Sequence, residues 1–206
     1  MLVKICGITT KEALDAAVSS GADFIGFVFA DSKRKIAADE AATITEAFPS
    51  TVKKVGVFVN ETIENMKDIA EKVGLDVIQL HGDEAPEIAE QLPYEIIKAF
   101  PAEKHAIETM KDYPCDYYLI DTPGKKYRGG SGTAFDWELV EDVSKDCNKL
   151  ILAGGLTPEN VRTGIEKINP MAVDVSSGVE TEGKKDSAKI KQFITNAKQM
   201  RKDEVR

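Results

Sequence analysis

The chain alternates between two hydrophobic rhythms. Short aliphatic runs such as Leu2–Cys6, Phe24–Phe29 and Val52–Val59 give way to longer stretches where apolar residues recur every three or four positions. The first rhythm predicts buried strands, the second helices with one apolar face. Further strands are predicted at Asp76–Leu80, Glu95–Ala99, Asp116–Asp121, Lys149–Ala153 and Ala172–Val175. Helices are predicted near Lys11–Ser20, Asp39–Ala47, Pro86–Gln91, Glu103–Asp112 and Asp136–Ser144. Another carries Ile63, Met66, Ile69, Ala70 and Val73 on one face, and the last carries Ile190, Phe193, Ile194 and Ala197.

Punctuation supports these boundaries. Thr9 and Glu12 have capping-box spacing, and Gly21 and Gly74 mark helix ends. Thr157 is expected to cap a helix with Pro158 at its first position. A polar, glycine-rich loop is expected from Pro123 to Thr133. About eight strand–helix units within 206 residues, without a linker or charge block, point to an α/β fold. A single-domain (β/α)8 TIM barrel over residues 1–206 is the first expectation, and an open doubly wound sheet the second.

Composition narrows the partners. Hydrophobic residues make up 42%, charged residues 30%, and the net charge is −8. That balance argues against a broad nucleic-acid or anionic-membrane surface, so an anionic small molecule must be held by a local site. The longest apolar run, Phe24–Ala30, is far short of a membrane span of ~20 residues, and the N-terminus lacks a signal-peptide pattern, so a cytoplasmic location is expected. Three cysteines without a CxxC pair suggest neither a disulfide framework nor structural zinc, and two histidines rule out a His-rich metal site.

Alternation along the strands then exposes the candidate chemistry. If Val3 and Ile5 face the helices, Lys4 and Cys6 face the barrel interior. Gln79, His81, Asp121 and Asp174 fall on the same side of their strands, where an inert barrel would carry Val, Ile or Leu. Cys6, His81 and Asp121 lie at strand C-terminal ends, where barrel active sites are built. The loops after strands seven and eight, with Gly154, Gly155, Ser176, Ser177 and Gly178, suit a phosphate. Each residue also has a plainer reading. Cys6, like Cys115 and Cys147, is a small buried hydrophobe; His81 caps the turn at Gly82; Asp121 makes an Asx-turn; Asp174 pairs with Lys4; Arg34 is a solvated loop charge. His105 and Trp137 are read as surface and helix packing. Convergence of several polar groups at one barrel end favours a site.

The motifs, in order along nearly the whole chain, resemble the phosphoribosylanthranilate isomerase family of tryptophan biosynthesis. They include Lys4–Thr9, Gly21–Phe29 with Ser32–Arg34, Val55–Asn60, Gln79–Glu84, Asp121, Gly129–Trp137, Leu152–Leu156 and Asp174–Glu180. Ser131 stands where threonine is more usual. The resemblance implies a cofactor-free Amadori rearrangement of N-(5-phosphoribosyl)anthranilate, a phosphosugar, to 1-(2-carboxyphenylamino)-1-deoxyribulose 5-phosphate. It also implies that Asp121 is the acid and Cys6 the base. Arg34 would contact the anthranilate carboxylate, and Asp174 and His81 would line the substrate site. Lys4 is expected to lower the Cys6 pKa, and Asp174 and burial to raise that of Asp121. The alternatives are another phosphosugar isomerase or lyase on the same barrel, or a non-catalytic phosphate-ligand binder; monomer and homodimer both stay open.

Overall fold

The computed structural model describes residues 1–121 and 148–199. The expected loop at 123–133 and helix at 136–144 lie outside them, as do Ser131, Trp137 and Cys147. Eight parallel strands close into a barrel in sequence order: β1 (Leu2–Cys6), β2 (Phe24–Val28), β3 (Lys53–Phe58), β4 (Val77–Leu80), β5 (Glu95–Pro101), β6 (Tyr117–Asp121), β7 (Leu150–Leu152) and β8 (Ala172–Val175). Closure is made by β1, which pairs with both β2 and β8. The open-sheet alternative is thereby removed.

The helices are α1 (Lys11–Ser20), α2 (Ala38–Ile44), α3 (Ile63–Val73), α4 (Pro86–Glu90), α5 (Lys104–Thr109), α6 (Val161–Ile168) and α7 (Ser187–Lys198). Their apolar faces meet the outside of the barrel, with Leu14, Met66, Ile165, Phe193 and Ile194 all buried. Local chemistry sets their ends. Gly21 and Gly74 stop α1 and α3 at φ 94° and 66°, a region where a Cβ is unfavourable. Two expected caps shift. The α1 cap is Thr10, whose hydroxyl accepts from the Ala13 amide, because Thr10 rather than Thr9 has its oxygen three residues before an unpaired helical N–H. Thr157 and Pro158 belong to a turn before α6, which begins at Val161; the Thr157 hydroxyl accepts from the Glu159 amide and Asn160 folds back onto the Thr157 amide.

The bottom of the barrel is fixed by a repeated device. Asp23, Asp76 and Asp116 each precede an even-numbered strand. Each carboxylate accepts from a backbone amide of the strand before it: Val3, Lys54 and Ile96, all at 2.8 Å. In return the three aspartate amides donate to the carbonyls of those same residues at 2.9–3.0 Å. These reciprocal pairs set the register on which the opposite end of the barrel is built.

The interior is layered. By strand alternation Lys53, Glu95 and Tyr117 close the bottom, with Lys53 Nζ 2.5 Å from Glu95 and the Tyr117 hydroxyl donating to Glu95 at 3.1 Å. Above them Phe24, Val55, Val77, Ile97, Leu119, Ile151 and Ala172 form an apolar plug. Only above that plug does the interior turn polar again.

Candidate active site

Lys4 opens the polar layer. The β1–β8 register sets it beside Asp174, and its Nζ donates to Asp174 Oδ1 at 3.0 Å. Lys4 is 0% exposed. Burial alone would lower its pKa, but Asp174 and the neighbouring Cys6 outweigh that and hold the ammonium charged. The ion-pair reading of Asp174 is thus what the structure shows, at a position that also lines a cleft at the C-terminal end of the barrel.

Cys6 lies one strand period above Lys4. It is a free thiol, paired in register with Gly26 of β2. A Cβ at Gly26 would sit 2.9 Å from Cys6 Sγ and 3.2 Å from Lys4 Nζ, so the glycine makes room for both. Burial pushes the thiol up, and the lowering pull of Lys4 does not overcome it. The expectation that Lys4 depresses this pKa therefore holds for its direction and fails for the net result, because Asp174 neutralises Lys4 and desolvation is the larger effect.

On the opposite wall stand His81, directly after β4, and Asp121, the last residue of β6. His81 Nε2 lies 3.5 Å from Asp121 Oδ2, and the Gln79 amide lies 2.8 Å from His81 Nδ1. With the amide nitrogen as donor, Nδ1 accepts and the imidazole proton points from Nε2 towards Asp121. Gln79 Oε1 is buried and has no hydrogen-bond partner among the described residues. His81 does not cap the Gly82 turn; Glu84 does, accepting from the Gly82 amide at 3.0 and 2.9 Å, because it also finds a buried counter-charge in Lys98 at 2.7 Å.

Between the two walls, reached through β7 and β8, lies an open cleft lined by Asp121, Asp174, Gly154, Gly155, Ser177 and Gly178. Gly154 and Gly155 adopt φ 84° and 62°, turning the backbone after β7 as few other residues can. Gly178 holds the two loops together, since a Cβ there would lie 1.8 Å from the Leu156 carbonyl oxygen. Gly178→Ala must push the loops apart. It is expected to cost about 1–3 kcal/mol in unfolding experiments. It should also raise KM for a phosphorylated substrate about tenfold or more, since ~1 Å misplacement of positioning groups costs up to ~10²-fold.

Arg34 is not a solvated loop charge. Its Nε and Nη2 donate to Glu180 at 2.6 and 2.9 Å, a bidentate pair. Lys185 Nζ also reaches Glu180 at 2.7 Å, and it donates to the Ser176 carbonyl at 2.8 Å. Glu180 and Lys185 sit on a small antiparallel ribbon, β9 (Glu180–Thr181) and β10 (Lys184–Lys185), which the hydrophobic pattern does not announce. Glu180 closes the Asp174–Glu180 motif, whose sequence points to Asp174 and to the small residues of the loop but gives Glu180 itself no role. Lys185 carried no sequence signal beyond an acidic neighbour.

Burial alone would raise the Glu180 carboxyl, but Arg34 and Lys185 hold it below the usual carboxylate range. A depressed folded-state pKa contributes stability that is present above the unfolded value and lost as pH falls through the folded one. Acid titration of thermal stability should therefore fall less steeply in Glu180→Gln than in the parent; parallel curves would contradict this.

Cys115 is half-buried and His105 exposed, both away from the cleft. Among the described residues no group of three His, Cys, Asp or Glu side chains is placed to hold a metal ion, and no helix is long and apolar enough to cross a membrane.

A closed parallel barrel with glycine-lined loops after β7 and β8, and a thiol and a carboxylate on opposite walls, defines the class: a barrel enzyme for small phosphorylated substrates. Comparison with known proteins is more specific. The family model for N-(5′-phosphoribosyl)anthranilate (PRA) isomerase matches residues 3–196. The N-(5′-phosphoribosyl)anthranilate isomerase of Oceanobacillus iheyensis is 50% identical over 207 residues, covering 100% of each chain. The crystal structure of the Thermotoga maritima phosphoribosyl anthranilate isomerase superposes with a TM-score of 0.89 at 44% identity, over 97% of this chain and 100% of that one. A phosphoribosyl anthranilate isomerase in complex with reduced 1-(o-carboxyphenylamino)-1-deoxyribulose 5-phosphate gives 0.86 at 43%, with the same coverage. The chain belongs to the N-(5′-phosphoribosyl)anthranilate isomerase family.

Proposed function

We propose that this chain, as a single-domain barrel, converts N-(5-phosphoribosyl)anthranilate to 1-(2-carboxyphenylamino)-1-deoxyribulose 5-phosphate, a step of tryptophan biosynthesis, by general acid–base catalysis. The observation that carries the mechanism is the placement of Cys6 and Asp121 at the ends of β1 and β6, three strands apart, with the glycine loops of β7 and β8 between them. A phosphate on those loops leaves the sugar between thiol and carboxyl. Asp121, as the acid, protonates the ribose ring oxygen, and the C1–O bond breaks to leave an iminium. Cys6, as thiolate, removes the C2 proton; the electron pair forms the C1–C2 enolamine, which tautomerises to the ketone. His81 and Gln79 border the acid. Two Arg34 donors are taken by Glu180, so the remaining Nη1 is the group that meets the anthranilate carboxylate.

A fellow family member binds a reduced product analogue. The corresponding titration tests the placement here. Amide signals of Gly154, Gly155, Ser177 and Gly178 should shift on addition of reduced product analogue, and Arg34→Ala should weaken binding of that compound more than binding of ribulose 5-phosphate. Equal weakening of both would remove Arg34 from the anthranilate end. A structural neighbour is described as dimeric; we propose that this chain functions as a monomer or a homodimer, in the cytoplasm.

A further inference from the structure

Cys6 is surrounded by charge from four parts of the chain. Lys4 lies on its own strand, Asp174 on β8, Arg34 on the loop after β2, and Lys185 on the β9–β10 ribbon, where Glu180 pairs with both Arg34 and Lys185. Lys4 and Asp174 form one neutral pair. Arg34, Glu180 and Lys185 form a triad of two cations and one anion. The surplus positive charge at this end of the barrel therefore belongs to the triad and not to Lys4.

Lys185 is the member that reaches furthest. Its side chain is only 5% exposed, an expensive place for an ammonium group. Its three donors go to Glu180 Oε1 at 2.7 Å, the Ser176 carbonyl at 2.8 Å and Ser176 Oγ at 3.3 Å. Ser176 Oγ in turn donates to the Cys6 carbonyl at 3.1 Å. Lys185 thus touches the phosphate-side loop after β8, the anchor of Arg34, and through one hydroxyl the end of β1. A lysine kept only to pin a two-residue ribbon would not need to be buried between these three.

We infer that Lys185 is a positioning residue for the reaction: it joins Ser176, the Arg34–Glu180 pair and the Cys6 end of β1 into one unit, and leaves a net positive charge beside the thiol. The inference rests on the reading of Cys6 as the base. Among the described residues Lys185 and Arg34 share Glu180 as counter-charge, and of these two cations Lys185 is the one hydrogen-bonded to Ser176, whose hydroxyl meets the Cys6 carbonyl, so its partly cancelled field acts at that end of β1.

The test reads the acidity of Cys6 directly. Alkylation by iodoacetamide is followed as a function of pH in the full chain, with peptide mass spectrometry assigning the reacted cysteine. Thiolate absorbance, taken as the difference from Cys6→Ser, follows the same group without a reagent. Lys185→Met is expected to slow alkylation about five- to tenfold below the titration midpoint, and Lys185→Arg to recover most of the rate. Glu180→Gln should do the opposite and speed it, because it removes the anion of the triad. Opposite signs are the signature, since mere loosening of the ribbon would move both variants the same way. No change in either, or a change of one sign in both, overturns the inference. If Lys185→Met fails to fold, a slower or unchanged rate in Glu180→Gln overturns it alone. Opposite shifts in alkylation without matching shifts in the pH profile of kcat/KM would keep Lys185 as a source of charge at Cys6 but remove Cys6 as the base, and with it the role of Lys185 in the reaction.

Discussion

Cys6→Ser and Asp121→Asn are each expected to lower kcat by about 10²–10⁴-fold, with a far smaller change in KM. In the proposed roles the two variants remove one proton-transfer group apiece, and they leave the loops at Gly154–Gly155 and Ser176–Gly178 untouched. Serine matches the cysteine closely in size, so the space Gly26 leaves at the end of β1 stays filled. Its hydroxyl, however, is a far weaker acid than a thiol and will not supply an anion near neutral pH. Asparagine keeps the shape of Asp121 beside His81 Nε2, but it cannot donate a carboxyl proton to the ring oxygen. The double variant should lose less than the product of the two single losses, because groups that serve one reaction coordinate act as a unit. Steady-state kinetics on the three variants checks this. A loss confined to KM would place Cys6 and Asp121 in binding and not in chemistry.

The largest effect on stability is expected from the Lys4–Asp174 pair. Asp174→Asn leaves a fully buried ammonium without its counter-charge. Breaking a buried pair from one side typically costs ~3–5 kcal/mol, whereas replacing both partners by apolar groups is often neutral or better. Denaturant unfolding should therefore show Asp174→Asn strongly destabilised. Lys4→Met combined with Asp174→Leu should recover most of the loss while leaving the chain inactive. If the double replacement is as unstable as Asp174→Asn, the pair contributes more to folding than desolvation physics allows. The sign with pH follows from the partners of Lys4, which outweigh its burial. Burial opposes the Lys4 charge, yet Asp174 and Cys6 raise its pKa. A raised folded-state pKa gives stability that is complete below the unfolded value and fades only as pH rises through the folded one. No weakening of this pair is therefore expected anywhere near neutrality.

The barrel was readable because its strands are buried on both faces and its helices on one. That difference in period survives in the residues themselves, as in Val55–Val57 against Met66, Ala70 and Val73. Strand alternation also sufficed to turn Lys4, Cys6, Gln79, Asp121 and Asp174 inward, since Val3 and Ile5 leave little choice of face. Helix ends were read less well. Thr9 and Thr10 are adjacent potential caps, and only the backbone decides which oxygen meets an amide. The hydrophobic pattern runs two strands through Asp76 and Asp116, whereas each stands just before its strand and binds the neighbouring strand's amide.

What the sequence hid was charge pairing over long separations. Arg34 and Glu180 are 146 residues apart, and Lys98 and Glu84 meet only because β5 lies beside β4. No local period encodes such contacts. The small ribbon carrying Glu180 and Lys185 is two residues per strand, too short to leave a pattern. The acidity of Cys6 has a different cause: the sequence shows Lys4 as a nearby cation and Asp174 as a partner for it, but not the depth of burial, which is the larger effect on the thiol.

The central claim is that this barrel isomerises phosphoribosylanthranilate with its own acid and base. Mixing the purified chain with freshly generated substrate in the presence of a chelator, and following the loss of anthranilate-type fluorescence, tests it most directly. The account predicts rapid, saturable turnover with 1-(2-carboxyphenylamino)-1-deoxyribulose 5-phosphate as the sole product, collapsing in Cys6→Ser and Asp121→Asn. A folded chain that leaves the substrate unchanged, or that turns it over undiminished in both variants, would contradict it.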